Sequence, residues 1–192
     1  MAQFTKQAII QTFIMLLNEK PFDKITVTDI VERCGINRNT FYYYYSDIYA
    51  LIDELFKTET QKIINANKEF NTWQEGFFEA TGFALENKKA IFHIYNSMNR
   101  DVLEKYIYDV TKNNMTQFVQ KQAEGLDASK EDINAISAFY TAALVGLVTK
   151  WLQDGMKDNP EPFIERLGIL LEGDIRAALL KTKQSIQTPR TV

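Results

Sequence analysis

The chain has one cysteine and one histidine among its 192 residues. A single cysteine excludes an internal disulfide. Cys34 reads as a small side chain in a turn, in keeping with the usual burial of free cysteine. One Cys and one His cannot make a Cys/His zinc cluster, and the sequence shows neither a catalytic triad nor a Gly-rich phosphate loop. No metal and no cofactor are therefore expected. An excess of positive charge is also missing: 22 Lys and Arg face 25 Asp and Glu, a net charge of −3. Gln7, Gln11 and Thr12 interrupt the first apolar stretch and no cleavage pattern follows, so no signal peptide is read. No apolar run is read as reaching membrane-spanning length, and the expectation is a cytoplasmic chain with no membrane partner. Strand signals are weak, and neither repeats nor low-complexity linkers occur.

What the sequence has is apolar residues at helical spacing. An apolar content of 45% argues for a globular chain, and 192 residues can bury a core as one large domain or two small ones. The stretch from Ile25 to Leu51 is the most specific. Thr26 and Asp29 stand as a capping pair at the start of a short helix whose apolar side is Ile30 and Val31. Cys34-Gly35-Ile36 follows, where Gly can take the positive φ of a sharp turn. Asn37 can cap a second helix that begins Arg38-Asn39-Thr40 and runs through Phe41 to Tyr45. Two helices joined by a short turn containing Gly form a helix-turn-helix, whose second helix enters the DNA major groove. An earlier helix, Thr5 to Asn18, presents Ile9, Phe13, Leu16 and Leu17 and supplies the third wall that a two-helix motif lacks. Pro21 ends it.

The run Thr26-Val27-Thr28-Asp29-Ile30-Val31, then Cys34-Gly35-Ile36-Asn37-Arg38-Asn39-Thr40-Phe41-Tyr42-Tyr43-Tyr44-Tyr45, resembles the DNA-binding domain of the TetR family of bacterial transcriptional regulators. The resemblance covers about the first quarter of the chain, and Leu51 falls at the family's spacing. It implies an all-α fold: a three-helix DNA-binding domain over residues 1–50, a shared helix, a helical ligand-binding and dimerisation domain over 51–181, and a tail over 182–192. The family often has His where Tyr44 stands and Lys where Ile48 stands. The second departure removes a phosphate contact, which Lys57 or helix N-terminal amides could partly replace.

The expected DNA contacts are Thr26, Thr28, Asn37, Arg38, Asn39, Thr40, Tyr42, Tyr43 and Tyr44. Arg can bind guanine bidentately, Asn can do so with adenine, and a Thr methyl can touch thymine. Tyr42 and Tyr44 offer hydroxyls to phosphates, and the resemblance implies backbone contacts at both. A helix cannot turn four successive tyrosines inward, and Phe41 with Tyr45, four apart, forms the natural core pair. The segment from Gly35 to Ser46 has one cation and no acid, so affinity per subunit should be modest and a dimer is expected.

Beyond this motif the chain continues as helices. One starts near Ile48 and runs to about Phe70, and another is capped by Thr72 and Glu75. A break falls at Asn87-Lys88-Lys89, then come an apolar run from Ile91 to Tyr95 and a helix from Asp101 to Ala123 that Gly125 stops. A long helix from Glu131 to Asp154 follows the cap at Ser129, and a final one starts at Pro160 and carries a stripe from Phe163 to Leu179. The residues from Lys181 onward lack apolar periodicity. The long helix is apolar on nearly every side, so one face should meet the core and the other a partner. The expected dimer seam is Leu144, Val148, Trp151, Leu167, Leu171 and Ile175. Candidate ligand contacts are Phe77, Phe78, Phe92, His93, Tyr95, Phe118, Phe139 and Tyr140, all of which could equally be ordinary core or, for His93, a hydrogen-bonded packing residue.

The function expected is a ligand-responsive repressor that binds a palindromic operator as a homodimer. Its partners are double-stranded DNA, a second copy, and a small-molecule effector or protein co-regulator. The alternative is a regulator or activator controlled by a protein partner, since the region from Phe92 to Phe118 resembles the TetR branch containing an activator of dihydroxyacetone-kinase operons, which responds to a partner protein. A helical enzyme is the remaining reading.

Overall fold

The computed structural model describes residues 2–66, 72–98, 100–171 and 173–186. Among these the regular structure is entirely helical, as the periodicity predicts. The chain divides into two compact units, one of residues 1–62 and 82–106, the other of 63–81 and 107–192.

The first unit is built on α1 (Ala2–Glu19), a 3-10 turn (Phe22–Lys24), α2 (Val27–Cys34), α3 (Arg38–Tyr44) and most of α4 (Ile48–Ala66). Ile9, Phe13, Leu16 and Leu17 of α1 are buried with Ile30, Val31, Phe41, Leu51 and Ile52. Phe22 sits edge-on to Phe13 at 6.1 Å and to Tyr49 at 5.7 Å, closing the junction after Pro21.

This unit does not stop at residue 50. It also takes in the later part of α5 (Trp73–Glu86), all of α6 (Lys88–Tyr95) and the first residues of α7 (Arg100–Gln122). α6 buries Ala90, Ile91, Ile94 and Tyr95, and it packs on α1. Nδ1 of His93 lies 2.6 Å from the Leu17 carbonyl, one of the last carbonyls of α1, which has no acceptor role left inside its own helix. Periodicity identifies an apolar face but not the element it faces, so α6 could not be assigned to this unit from spacing alone.

The second unit contains the remainder of α7, α8 (Lys130–Gln153), α9 (Glu161–Leu170) and α10 (Asp174–Ile186). Met115, Val119 and Ala123 of α7 meet Leu144 of α8 and Ile175 and Leu179 of α10, with Trp73 and Phe77 packed against them. Ser129 caps α8, accepting from the Asp132 N–H at 3.0 Å. The hydroxyls of the buried Ser137 and Thr141 donate to Ile133 and Ser137 carbonyls, each at 2.7 Å, which satisfies them inside an apolar packing face.

Three expectations are corrected here. The final helix is two helices, because Gly173 adopts φ 79° between α9 and α10. α10 continues to Ile186, so the tail does not begin at 182, and residues 187–192 lie outside the described ones. α8 is long and apolar enough, by length and composition alone, to cross a membrane, although one of its sides is built into the helical core. The expected continuation of α4 from residue 67 to Phe70 lies outside the described residues.

Candidate nucleic-acid interface

The turn between α2 and α3 is fixed from both ends. Asp29 N–H donates to Thr26 Oγ1 at 3.2 Å while Thr26 N–H donates to Asp29 Oδ2 at 2.8 Å, a complete capping box. Lys20 reaches the other Asp29 oxygen at 2.8 Å. The hydrogen-bonded Lys20 ammonium, then the Thr26 bonds, hold the Asp29 carboxyl down at about 2. α2 ends on Gly35 at φ 70°, ψ 30°, the left-handed conformation that lets the chain reverse at once into α3. Asn37 then caps α3, its Oδ1 accepting from Thr40 N–H at 2.8 Å and from the Thr40 hydroxyl at 3.0 Å.

These caps decide which side chains are available. Phe41 and Tyr45 are buried, with ring centroids 5.9 Å apart, and form the inward pair. Tyr43 is 80% exposed and Tyr42 50%. Tyr44 is half-buried, edge-on to Tyr43 at 4.9 Å. Arg38 and Asn39 are exposed at the first turn. Arg38 Nη2 donates to Thr28 Oγ1 at 2.5 Å, so the first turn of α3 is joined to α2 through two of the expected contact residues. Thr26, Asn37 and Thr40 spend hydroxyl or amide oxygens on capping, which the sequence pattern suggested for Thr26 and Asn37 but not for Thr40.

Charge is disposed in the same direction. Arg33 is paired bidentately with Glu19 at 2.5 and 2.7 Å, Lys20 with Asp29, and Lys6 with Glu54. Arg38 instead donates to a neutral hydroxyl, and its charge remains uncompensated by that contact. The net acidity of the chain is thus no obstacle to a locally cationic, hydroxyl-rich helix end. Tyr45 is different from its three neighbours: its hydroxyl is buried without a partner among the described residues, and burial, then nearby Glu54, pushes it up to about 12.

The expected ligand residues divide between the two units. Phe92, His93 and Tyr95 belong to the first unit, where Tyr95 is core and His93 serves the α1 contact. Phe77, Phe78, Phe118, Phe139 and Tyr140 belong to the second, where Phe139 is 70% exposed. Only Phe118 and Tyr140 of the eight line a cavity of about 490 Å³ in that unit. The cavity also takes in Trp73, one of the aromatics of this region, and Gln74, Gln122 and Arg176, which nothing in the sequence singled out: an exposed polar residue beside a core position looks like a solvated face. Of the expected dimer seam, Leu144 and Ile175 are committed to this unit's own core, and Leu171 and Ile175 line the cavity. Val148, Trp151 and Leu167 are half-buried. The open face of α8 instead carries Phe139, Ala142, Ala143 and Gly146.

Residues 9–55 match the model of the tetR family of bacterial regulatory proteins, and residues 71–173, more than half the chain, match that of a transcriptional regulator C-terminal region. The chain is 25% identical over 118 residues to the HTH-type dhaKLM operon transcriptional activator DhaS of Lactococcus lactis. That match spans 56% of this chain and 63% of the relative, less than two thirds of its length. A solved structure of a dihydroxyacetone kinase operon activator DhaS aligns with a TM-score of 0.75 at 21% identity, over 90% of this chain and 97% of that one. A TetR transcriptional regulator from Streptococcus agalactiae aligns with a TM-score of 0.62 at 21% identity, over 89% and 95%. At these identities the structural likeness speaks for the fold. With a capped helix-turn-helix at one end and a regulator-type helical region filling the rest, this chain belongs to the TetR family of bacterial transcriptional regulators, proteins that bind DNA and are not enzymes.

Proposed function

We propose that this chain is an operator-binding regulator that acts as a homodimer on a palindromic site and is switched by a molecule bound to its second unit. The observation that carries the proposal is the outward tyrosine and arginine surface of α3, held in place by caps at Thr26 and Asn37. In this reading Arg38 and Asn39 read base edges, while Tyr42, Tyr43 and Tyr44 meet backbone or groove. Thr28 positions Arg38, and Thr26, Asn37 and Thr40 hold the helix end that approaches the phosphates.

A dimer follows from contact number. One seven-residue helix reaches too few base pairs to specify a site, whereas two related by a two-fold axis read half-sites about 34–36 Å apart. The open face of α8 supports where they meet. Gly146 costs its helix roughly 0.5–1 kcal/mol relative to Ala, yet beyond the adjacent backbone of its own helix nothing among the described residues lies within 4 Å of where a Cβ would stand. A second helix packed closely there explains the small residues at 142, 143 and 146. Leu180 of α10, 49% exposed, extends apolar surface on the same unit.

Repression is the sign that follows when such a dimer occupies a promoter. Activation is the second reading, supported by the match to an operon activator, and it brings with it control by a protein instead of a small molecule. The experiment that tests the whole proposal is selection of bound DNA from random duplexes by the purified chain. A symmetric consensus with one helical turn between half-site centres is expected; recovery of no consensus would overturn operator binding, and an asymmetric single half-site would overturn the dimer.

A further inference from the structure

The cavity of the second unit falls within the range of about 300–1,000 Å³ that suits a small ligand, and its lining has a definite chemical bias. Trp73 and Phe118 supply flat apolar surface. Gln74, Gln122, Tyr140 and Arg176 supply donors, and Arg176 is the sole charged residue among the described lining residues. Arg176 is also held: Nη1 donates to the Gln122 carbonyl at 2.9 Å, tying α10 to the end of α7. Among the described residues this bond engages one of the five guanidinium N–H donors. Burial, then Asp174, raises the Tyr140 phenol above its ordinary value.

Gln74 is placed by a glycine. A Cβ on Gly168 would fall 1.8 Å from Gln74 Nε2, so the absence of a side chain on α9 is what lets the amide lie there. Substituting Gly168 would displace a flexible side-chain end and not backbone, so the fold survives the change.

We propose that this cavity is the effector site and that it takes a small planar carboxylate, its anion on the Arg176 guanidinium and its flat body between Trp73 and Phe118. A fixed guanidinium matches a carboxylate with two parallel N–H···O bonds. Gln74 and Tyr140 donate to remaining acceptors, and a cationic or purely apolar ligand leaves these donors unanswered. The inference rests on the reading of the chain as a ligand-switched regulator.

The test uses the full chain with benzoate and indole-3-acetate as probes, and benzamide and benzylamine as controls. Binding is read by calorimetry and by Trp73 fluorescence in a Trp151→Phe background. The expected result is saturable binding of at least one carboxylate with quenching, and binding of its uncharged or cationic counterpart about tenfold weaker or worse. Arg176→Gln should lose that preference, and Gly168→Ala should weaken binding several-fold while the thermal transition is kept. Equal binding of benzoate and benzamide, an unchanged preference in Arg176→Gln, or no carboxylate binding at all would each overturn the inference. Release of selected operator DNA by the bound carboxylate separates the two layers. Carboxylate binding with no effect on an intact operator complex overturns the effector role, and failure to select any operator overturns the regulator reading while leaving the cavity result standing.

Discussion

Arg38 of α3 and Thr28 of α2 are joined by a 2.5 Å hydrogen bond across the turn that defines the DNA-binding motif. The bond leaves the guanidinium charged and partly oriented before any duplex arrives, which lowers the ordering cost of a base contact. Arg38→Ala should cost about 1–3 kcal/mol of binding and relax preference at one base pair. Thr28→Val should keep the same consensus with weaker binding, because it removes the support and not the reader. Binding to a randomised operator library checks both, and a Thr28→Val variant that changes the preferred base would show that Thr28 itself reads sequence.

Tyr42 and Tyr44 are assigned to backbone, and this has a separate signature. Tyr42→Phe deletes one hydroxyl from a half-exposed ring and should weaken binding evenly over all sites. Titration of the variant against the consensus and single-mismatch duplexes reads this directly. A loss confined to one mismatch position would contradict the phosphate assignment.

Tyr45 offers a stability test inside the same tyrosine run. Its hydroxyl is buried with no partner among the described residues, so Tyr45→Phe should raise stability by about 1 kcal/mol by removing an unsatisfied polar group. The phenol is raised from 10.0 to about 12 in the folded chain. Above pH 10 the unfolded chain has lost this proton and the folded one retains it, so stability is complete below 10 and falls as pH rises toward 12. Urea midpoints at alkaline pH should therefore decline less steeply in Tyr45→Phe than in the parent, and parallel limbs would show that Tyr45 is not buried as described.

Asp29 gives the opposite limb. Its carboxyl is lowered from 3.8 to about 2 by Lys20 and Thr26, so its contribution is present above 3.8 and lost as pH falls toward 2. Asp29→Asn should be less stable at neutral pH and flatter in this acid window. Midpoints that fall in parallel with the parent below pH 4 would remove the ion pair from the account.

The contrast between these sites and the second unit shows what spacing and residue type can reveal. Caps at Thr26, Asn37 and Ser129, the Gly35 turn and the inward pair Phe41 and Tyr45 are local features, each written within four residues of chain, and all are seen in the structure. The union of α6 with α1 and the cavity around Arg176 depend on elements far apart in sequence, whereas the break at Gly173 is local but reads equally as a tolerated glycine inside an apolar helical stripe. Nothing in the residues around His93 signals that its ring will meet the Leu17 carbonyl, which lies 76 residues earlier in the chain. Apolar periodicity also could not separate the two faces of α8, because both are apolar: Leu144 faces the core and Phe139 does not.

That last ambiguity is open to a decisive substitution. Phe139 stands on the open face of α8 with Ala142, Ala143 and Gly146, so Phe139→Glu leaves every contact of the core cluster in place. If this face is the seam between two copies, the variant should fold and sediment as a monomer, since two carboxylates cannot be desolvated against each other across a two-fold axis. Its operator affinity should collapse toward that of a single half-site. Leu144→Glu, by contrast, puts a charge into the core and should lower the melting temperature of the chain itself, whatever its state of association. A Phe139→Glu variant that remains a dimer by sedimentation equilibrium would move the seam elsewhere on the second unit, and the remaining exposed apolar residues of α9, Phe163, Ile169 and Leu170, would be the next face to test.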